Sequence, residues 1–155
     1  MKRIIFKDLT QIKYTMKKAL IVYHSKTGTT RLLGEEIRDF FTKNQIESKA
    51  VSTNEFDHLD LVTSDFVLFG CWTKGLLICR QHPDKEWIDF IKNIPDLSGK
   101  KLGLFTTYKI ATGSMFNKMK KCLNGSSDNV LISLKSRNGH LSANNNQELL
   151  SFINK

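Results

Sequence analysis

Lys18-Ala19-Leu20-Ile21-Val22-Tyr23-His24-Ser25-Lys26-Thr27-Gly28-Thr29-Thr30 runs from an apolar stretch directly into a hydroxyl-rich turn and then into a helical pattern. Residues 19–23 are continuously apolar, the signature of a strand buried on both faces. Residues 27–30 put three hydroxyls and one glycine where the next helix must start. Unpaired N–H groups at a helix start, joined by hydroxyl donors, make a cradle for a phosphate at the edge of a parallel sheet. Ser25, Thr27, Thr29 and Thr30 are the hydroxyl candidates, and Gly28 lets the main chain approach a ligand. Lys26 and Arg31 stand beside the turn as peripheral cations. The competing reading is an ordinary Ser/Thr-capped helix. Neither GxxxxGK[ST] nor GxGxxG is present, which excludes the triphosphate and dinucleotide loops.

Downstream, Leu33, Ile37, Phe40 and Phe41 recur at helical spacing and should pack on a sheet. Residues 46–51 form a second strand, with Leu59 and Leu61 as core contacts in the connection that follows. Residues 65–70, an apolar run ending in Gly70, form a third and central strand opening into a loop. A helix after Pro83 buries Trp87, Phe90 and Ile91 and is stopped by Pro95. Residues 102–105 are a fourth strand and residues 130–134 a fifth. Between them a helix over residues 113–123 groups Met115, Phe116 and Met119 and turns Lys118, Lys120 and Lys121 to solvent. Asn144 to Asn146 read as a turn and cap before a last helix over residues 147–153. Strict alternation of strand and helix predicts an α/β fold with a five-stranded parallel sheet covered on both faces.

With 155 residues the chain suits one domain and one site. Residues 1–15, with Lys2, Arg3, Lys7 and Lys13, read as a basic N-terminal extension, with an extra edge strand or a misplaced start as the other readings, before a domain over residues 16–155. The whole chain's net charge of +9 admits an acidic protein, nucleic acid or an anionic surface as partner without selecting among them. Cys71, Cys79 and Cys122 make no disulfide framework. No signal-peptide pattern or 18-residue apolar run occurs, so a cytoplasmic protein without membrane insertion is expected. Cys79-x-x-His82 offers two metal ligands and nothing nearby to complete a set, so no metal is expected. Cys71 and Cys122 lack the Cys-x5-Arg spacing of a cysteine phosphatase. His24, next to Ser25, has no identifiable carboxylate partner and reads as the end of its strand.

In such sheets ligands bind beyond the carboxyl ends of the strands, where strand order reverses. Three loops meet there, residues 25–30, 70–79 and 106–113. The first offers phosphate chemistry, the second Trp72 and the third Tyr108. A flat ring lying against those two side chains, with its phosphate in the first loop, selects flavin mononucleotide over a simple sugar phosphate.

Ser25-x-Thr27-Gly28-x-Thr30 after the first strand, with Gly70-Cys71-Trp72-Thr73-Lys74-Gly75 after the third, resembles the short-chain flavodoxin family. The resemblance runs from residue 16 to residue 155. It implies a three-layer flavodoxin-like sandwich with strand order 2-1-3-4-5 and non-covalent FMN cycling through one-electron steps. It places Ser25, Lys26, Thr27, Gly28, Thr29 and Thr30 at the phosphate. Cys71, Trp72, Thr73, Lys74 and Gly75 stand beside the flavin, with the 73–75 backbone at its reactive edge. The third loop contributes Thr106, Thr107, Tyr108 and Gly113, but Thr106-Thr-Tyr108-Lys-Ile-Ala-Thr-Gly113 departs from the acidic version common in the family.

Charge departs from the family as well, since flavodoxins are usually acidic and meet basic partners. Lys74, Arg80, Lys85 and Lys109 lie in or near the second and third loops, which suits an acidic redox partner or an anionic organic substrate. The leading expectation is an FMN-dependent electron-transfer protein reducing a partner redox enzyme. One alternative is a small FMN-dependent reductase acting on an organic acceptor such as a quinone or pigment-like anion. Another is a non-redox phosphate-binding interaction module. No nucleic acid is expected.

Overall fold

Phe66-Val-Leu-Phe-Gly-Cys-Trp72 contains no charge, and in the computed structural model, which describes residues 16–76 and 79–155, it is the middle strand of the main sheet. In chain order the strands are β1 (Lys18–His24), β2 (Glu47–Ser52), β3 (Phe66–Trp72), β4 (Lys74–Leu76), β5 (Cys79–His82), β6 (Lys101–Thr107) and β7 (Val130–Ser136). The helices are α1 (Thr29–Lys43), α2 (His58–Thr63), α3 (Lys85–Lys92), α4 (Met115–Lys121) and α5 (Ala143–Ile153). Five strands pair in the order β2-β1-β3-β6-β7, every pair parallel, while β4 and β5 form a separate antiparallel hairpin. Leaving the hairpin aside, this is the expected order 2-1-3-4-5.

Side chains alternate along each strand, so consecutive residues serve opposite faces. Leu20, Val22, Val67, Phe69, Leu102 and Leu104 face α2, α3 and α4, where Leu61, Trp87, Ile91, Met115 and Met119 pack against them. Ala19, Ile21, Tyr23, Phe66, Leu68 and Phe105 face the other way, toward Leu33, Ile37 and Phe41 of α1 and Leu149 and Phe152 of α5. Three layers follow, helices on both sides of one sheet. Gly70 has a packing reason: a Cβ there would enter the Phe105 ring. Among the described residues, no helix is long and apolar enough to cross a membrane.

Several local expectations change. Leu59 is 65% exposed while Leu61 is buried, because the one-turn segment α2 presents only one side to the sheet. The helix α5 begins at Ala143, earlier than expected. Asn144 to Asn146 lie inside it, and Ser142 Oγ is the cap, accepting from Asn145 N at 3.1 Å. The helix α3 ends at Lys92 over Asn93, before Pro95 is reached. Lys118 turns inward, its ammonium donating to the Gln81 carbonyl at 2.9 Å, which ties α4 to β5. The hairpin itself was not expected, its strands being too short to show a pattern. The basic extension expected at residues 1–15 lies outside the described residues.

Candidate functional site at the carboxyl ends of the sheet

The loop after β1 is shaped by its own side chains. Ser25 Oγ accepts from Gly28 N at 3.1 Å and Arg31 N at 3.2 Å, so this hydroxyl is spent on folding the turn. Gly28 is the N-cap of α1 at φ 96°, a conformation that favours glycine, and it supplies no side-chain cap. The first turn of α1 carries no acidic residue. The positive end of a fifteen-residue helix therefore points, uncapped by any side chain of its N-cap, into the space above β1. Thr27 Oγ1 and Thr29 Oγ1 lie 3.4 Å apart beside it.

The opposite side is assembled from distant segments. Thr73 N donates to the Thr107 carbonyl at 2.8 Å. Thr106 Oγ1 donates to the Cys71 carbonyl at 2.6 Å and lies 2.8 Å from Thr73 Oγ1. Thr30 Oγ1 and Thr107 Oγ1 pair at 2.6 Å across a fully buried gap. These hydroxyls lock the ends of β3 and β6 to each other and to α1, holding the Trp72 and Tyr108 loops in a fixed relation to the first turn. Gly75, at φ 151°, brings β4 so close to β5 that a Cβ would sit 2.8 Å from the Arg80 carbonyl oxygen.

Between these walls lies a cavity of about 520 Å³, lined by Lys26, Thr27, Thr29, Trp72, Thr73, Lys74, Gly75, Gln81, Thr107, Tyr108, Lys109, Ile110, Ala111 and Arg137. Lys26 Nζ stands 5.0 Å and Lys74 Nζ 6.0 Å from the Trp72 ring centre. Arg137 lies 5.5 Å and Lys135 Nζ 6.0 Å from that of Tyr108. Both aromatic walls thus carry cations. Among the described residues, the lining holds four cationic side chains and no carboxylate.

Behind Lys74 lies a polar cluster that sequence reading missed. His24 Nε2 is 2.9 Å from Asp84 Oδ2 and 3.8 Å from Glu86 Oε2, and Lys74 Nζ is 3.7 Å from Asp84 Oδ1. His24 does have a carboxylate partner, sixty residues along the chain. Burial acts to raise the Asp84 carboxyl, but the hydrogen bond and charge of His24, aided by Lys74, outweigh it and hold it below the ordinary carboxylate range. The cluster ties the end of β1 to the start of α3 and the hairpin.

Of the residues expected at the site, Lys26, Thr27, Thr29, Trp72, Thr73, Lys74, Gly75, Thr107 and Tyr108 converge on the cavity. Ser25, Gly28, Thr30, Cys71, Thr106 and Gly113 are not in its lining. Ser25 and Gly28 shape the turn from behind, and the Thr30 and Thr106 hydroxyls are consumed in the seam. Cys71 is fully buried, and burial pushes its thiol up to about 12, which keeps it neutral. At Gly113 a Cβ would collide with the Gln81 side chain. Gln81, Lys109, Ile110, Ala111 and Arg137 are the additions. Arg137 had a signal: Ser25, Thr73, Tyr108 and Arg137 each follow directly on the last residue of β1, β3, β6 and β7.

The flavodoxin domain family matches residues 20–147. A flavodoxin of Maridesulfovibrio salexigens is 35% identical over 92 residues, covering 58% of this chain and 62% of that protein. A flavodoxin of Clostridium beijerinckii is 26% identical over 105 residues, 68% of this chain and 75% of that protein. In fold, the solution structure of two-electron reduced Megasphaera elsdenii flavodoxin superposes with a TM-score of 0.69 at 23% identity, covering 86% of this chain and 96% of that one.

Proposed function

Because the chain belongs to the flavodoxin family, we propose that it carries electrons on non-covalently bound FMN and passes them to a redox protein whose docking face is acidic. FMN is the family's cofactor, and the residues of this cavity fit it. The volume of about 520 Å³ lies within the range of roughly 300 to 1,000 Å³ usual for small-molecule sites. A helix start whose N-cap glycine brings no side chain, with two hydroxyls and a lysine beside it, suits the phosphate, and two aromatic side chains suit the ring. That pairing of an anion turn with aromatic walls at the β1/β3 reversal is the observation that carries the reading.

In this reading the Thr27 and Thr29 hydroxyls, the Lys26 ammonium and the first amides of α1 hold the phosphate. Trp72 and Tyr108 would hold the ring, and the backbone of residues 73–75 would offer its polar groups to it. When bound, FMN supplies the electron-accepting ring. The chain itself would exclude water from the ring faces with these side chains, ties Thr73 at the foot of the hairpin to the Thr107 carbonyl, and presents exposed Lys74, Lys109 and Ile110 at the mouth. Rim cations of one sign steer the approach of an acidic surface. The absorbance spectrum of protein purified without added cofactor is the first test, with a yellow flavin spectrum expected. A titration comparing FMN with riboflavin is the second, and equal affinities would overturn the phosphate assignment.

A second reading, direct reduction of an anionic organic acceptor, draws on the cations lying within the lining as well as on the rim. Steady-state turnover with a reduced nicotinamide and a quinone, with no second protein present, would favour it over the carrier.

A further inference from the structure

The cations of the cavity differ in how far they are compensated. Lys74 shares Asp84 with His24. Lys26, Lys109 and Arg137 form no ion pair with a carboxylate among the described residues. Arg137 is held over Tyr108 by the pairing of β6 with β7, which sets Thr107 opposite Ser136 and so aligns the residue after each. A phosphate carries the same charge whatever the state of the ring, so its attraction to Lys26 and α1 cancels when two states of one cofactor are compared. The charges beside the ring do not cancel. Oxidised FMN that takes up two electrons and one proton gains a net negative charge on its ring, and uncompensated cations favour that form over the neutral one.

Resting on the FMN reading, we propose that this cavity selects the reduced anion, binding FMN more tightly after two-electron reduction than before, with Arg137 as a residue that sets this preference. The thermodynamic cycle makes the consequence measurable: ten-fold tighter binding of the reduced form raises the two-electron midpoint of bound FMN by about 30 mV over that of FMN in solution. A carrier built this way accepts electrons readily and donates them to acceptors of higher potential.

The test uses the full chain loaded with FMN. Fluorescence quenching gives the affinity for oxidised FMN, and anaerobic spectroelectrochemistry gives the midpoint. Dithionite, oxidised to sulfite, supplies the electrons and solvent the proton. At low salt the two-electron midpoint is expected above that of FMN alone, falling toward it as salt screens the exposed cations. Arg137→Gln should reduce the preference for the reduced form by about three-fold, the scale of one partly screened charge, and Arg137→Lys should restore most of it. A loss caused by altered packing alone would not be restored by lysine and would not depend on salt. A midpoint at or below that of FMN alone, or an Arg137→Gln protein with the wild-type midpoint, overturns the inference while leaving FMN binding intact. Failure to bind FMN at all overturns the cofactor reading together with this one.

Discussion

The two sides of the cavity are built on different plans. The turn after β1 is closed by bonds within one heptad of sequence, Ser25 Oγ to the amides of Gly28 and Arg31. The aromatic side depends on bonds between residues tens of positions apart, Thr30 with Thr107 and Thr106 with Cys71. A locally closed turn keeps its shape whatever its surroundings do. The far side exists only while strands β3, β6 and β7 stay in register, so damage there should reach both stability and binding.

The largest effect is expected from Gly75→Ala. A Cβ 2.8 Å from the Arg80 carbonyl oxygen, on a residue at φ 151°, forces β4 from β5. The cost is about 3 kcal/mol. Calorimetry should show a lower melting temperature, and FMN affinity should drop with it. Wild-type values for both would mean that the hairpin yields without cost. Next comes Thr30→Val, nearly isosteric, which leaves the Thr107 hydroxyl buried without its partner and should cost about 1 to 3 kcal/mol in urea unfolding. If Thr30 serves the seam alone, FMN binding per folded molecule stays within about two-fold, the reach of a few tenths of a kcal/mol.

Ser25→Ala sharpens the contrast from the other side. It removes the acceptor for two amides that water can still reach, so stability should fall by only about 0.5 to 1 kcal/mol. FMN affinity should fall proportionally more, because the cradle loses its shape. The smallest effect is expected from Asp84→Asn. A carboxyl whose pKa is depressed on folding contributes stability above its unfolded value, and that contribution is lost as pH falls through the lowered one. Wild-type protein should therefore lose more stability on acidification than Asp84→Asn, and parallel curves of unfolding free energy against pH would show that the carboxyl titrates alike in both states.

How much of this was legible follows the same division. Buried parallel strands announce themselves as uncharged runs, which is why β1 and β3 could be read from residues 19–23 and 66–70, whereas their order was implied by the family resemblance. The turn after β1 was legible because its hydroxyls and its glycine are neighbours in sequence. The His24–Asp84 pair was not, since nothing local relates residues separated by sixty positions until β1 and α3 are docked. Lys118 shows the same limit: helical spacing placed it among solvent-facing lysines, and only the position of the Gln81 carbonyl turned it inward. Conversely, counting hydroxyls overestimated the donors offered to a ligand, because in Thr30 and Thr106 the backbone and the seam compete for the same oxygen.

The cavity draws its lining from the ends of β1, β3, β6 and β7 at once, so a cofactor touching all of it meets a complete surface only on the folded chain. Such a ligand adds to stability by mass action, about 2.7 kcal/mol at a hundred times its dissociation constant. Cellular abundance of the protein is thereby coupled to flavin supply: cells short of FMN would lose the protein to proteolysis, and supplementation would raise its level without any change in transcription.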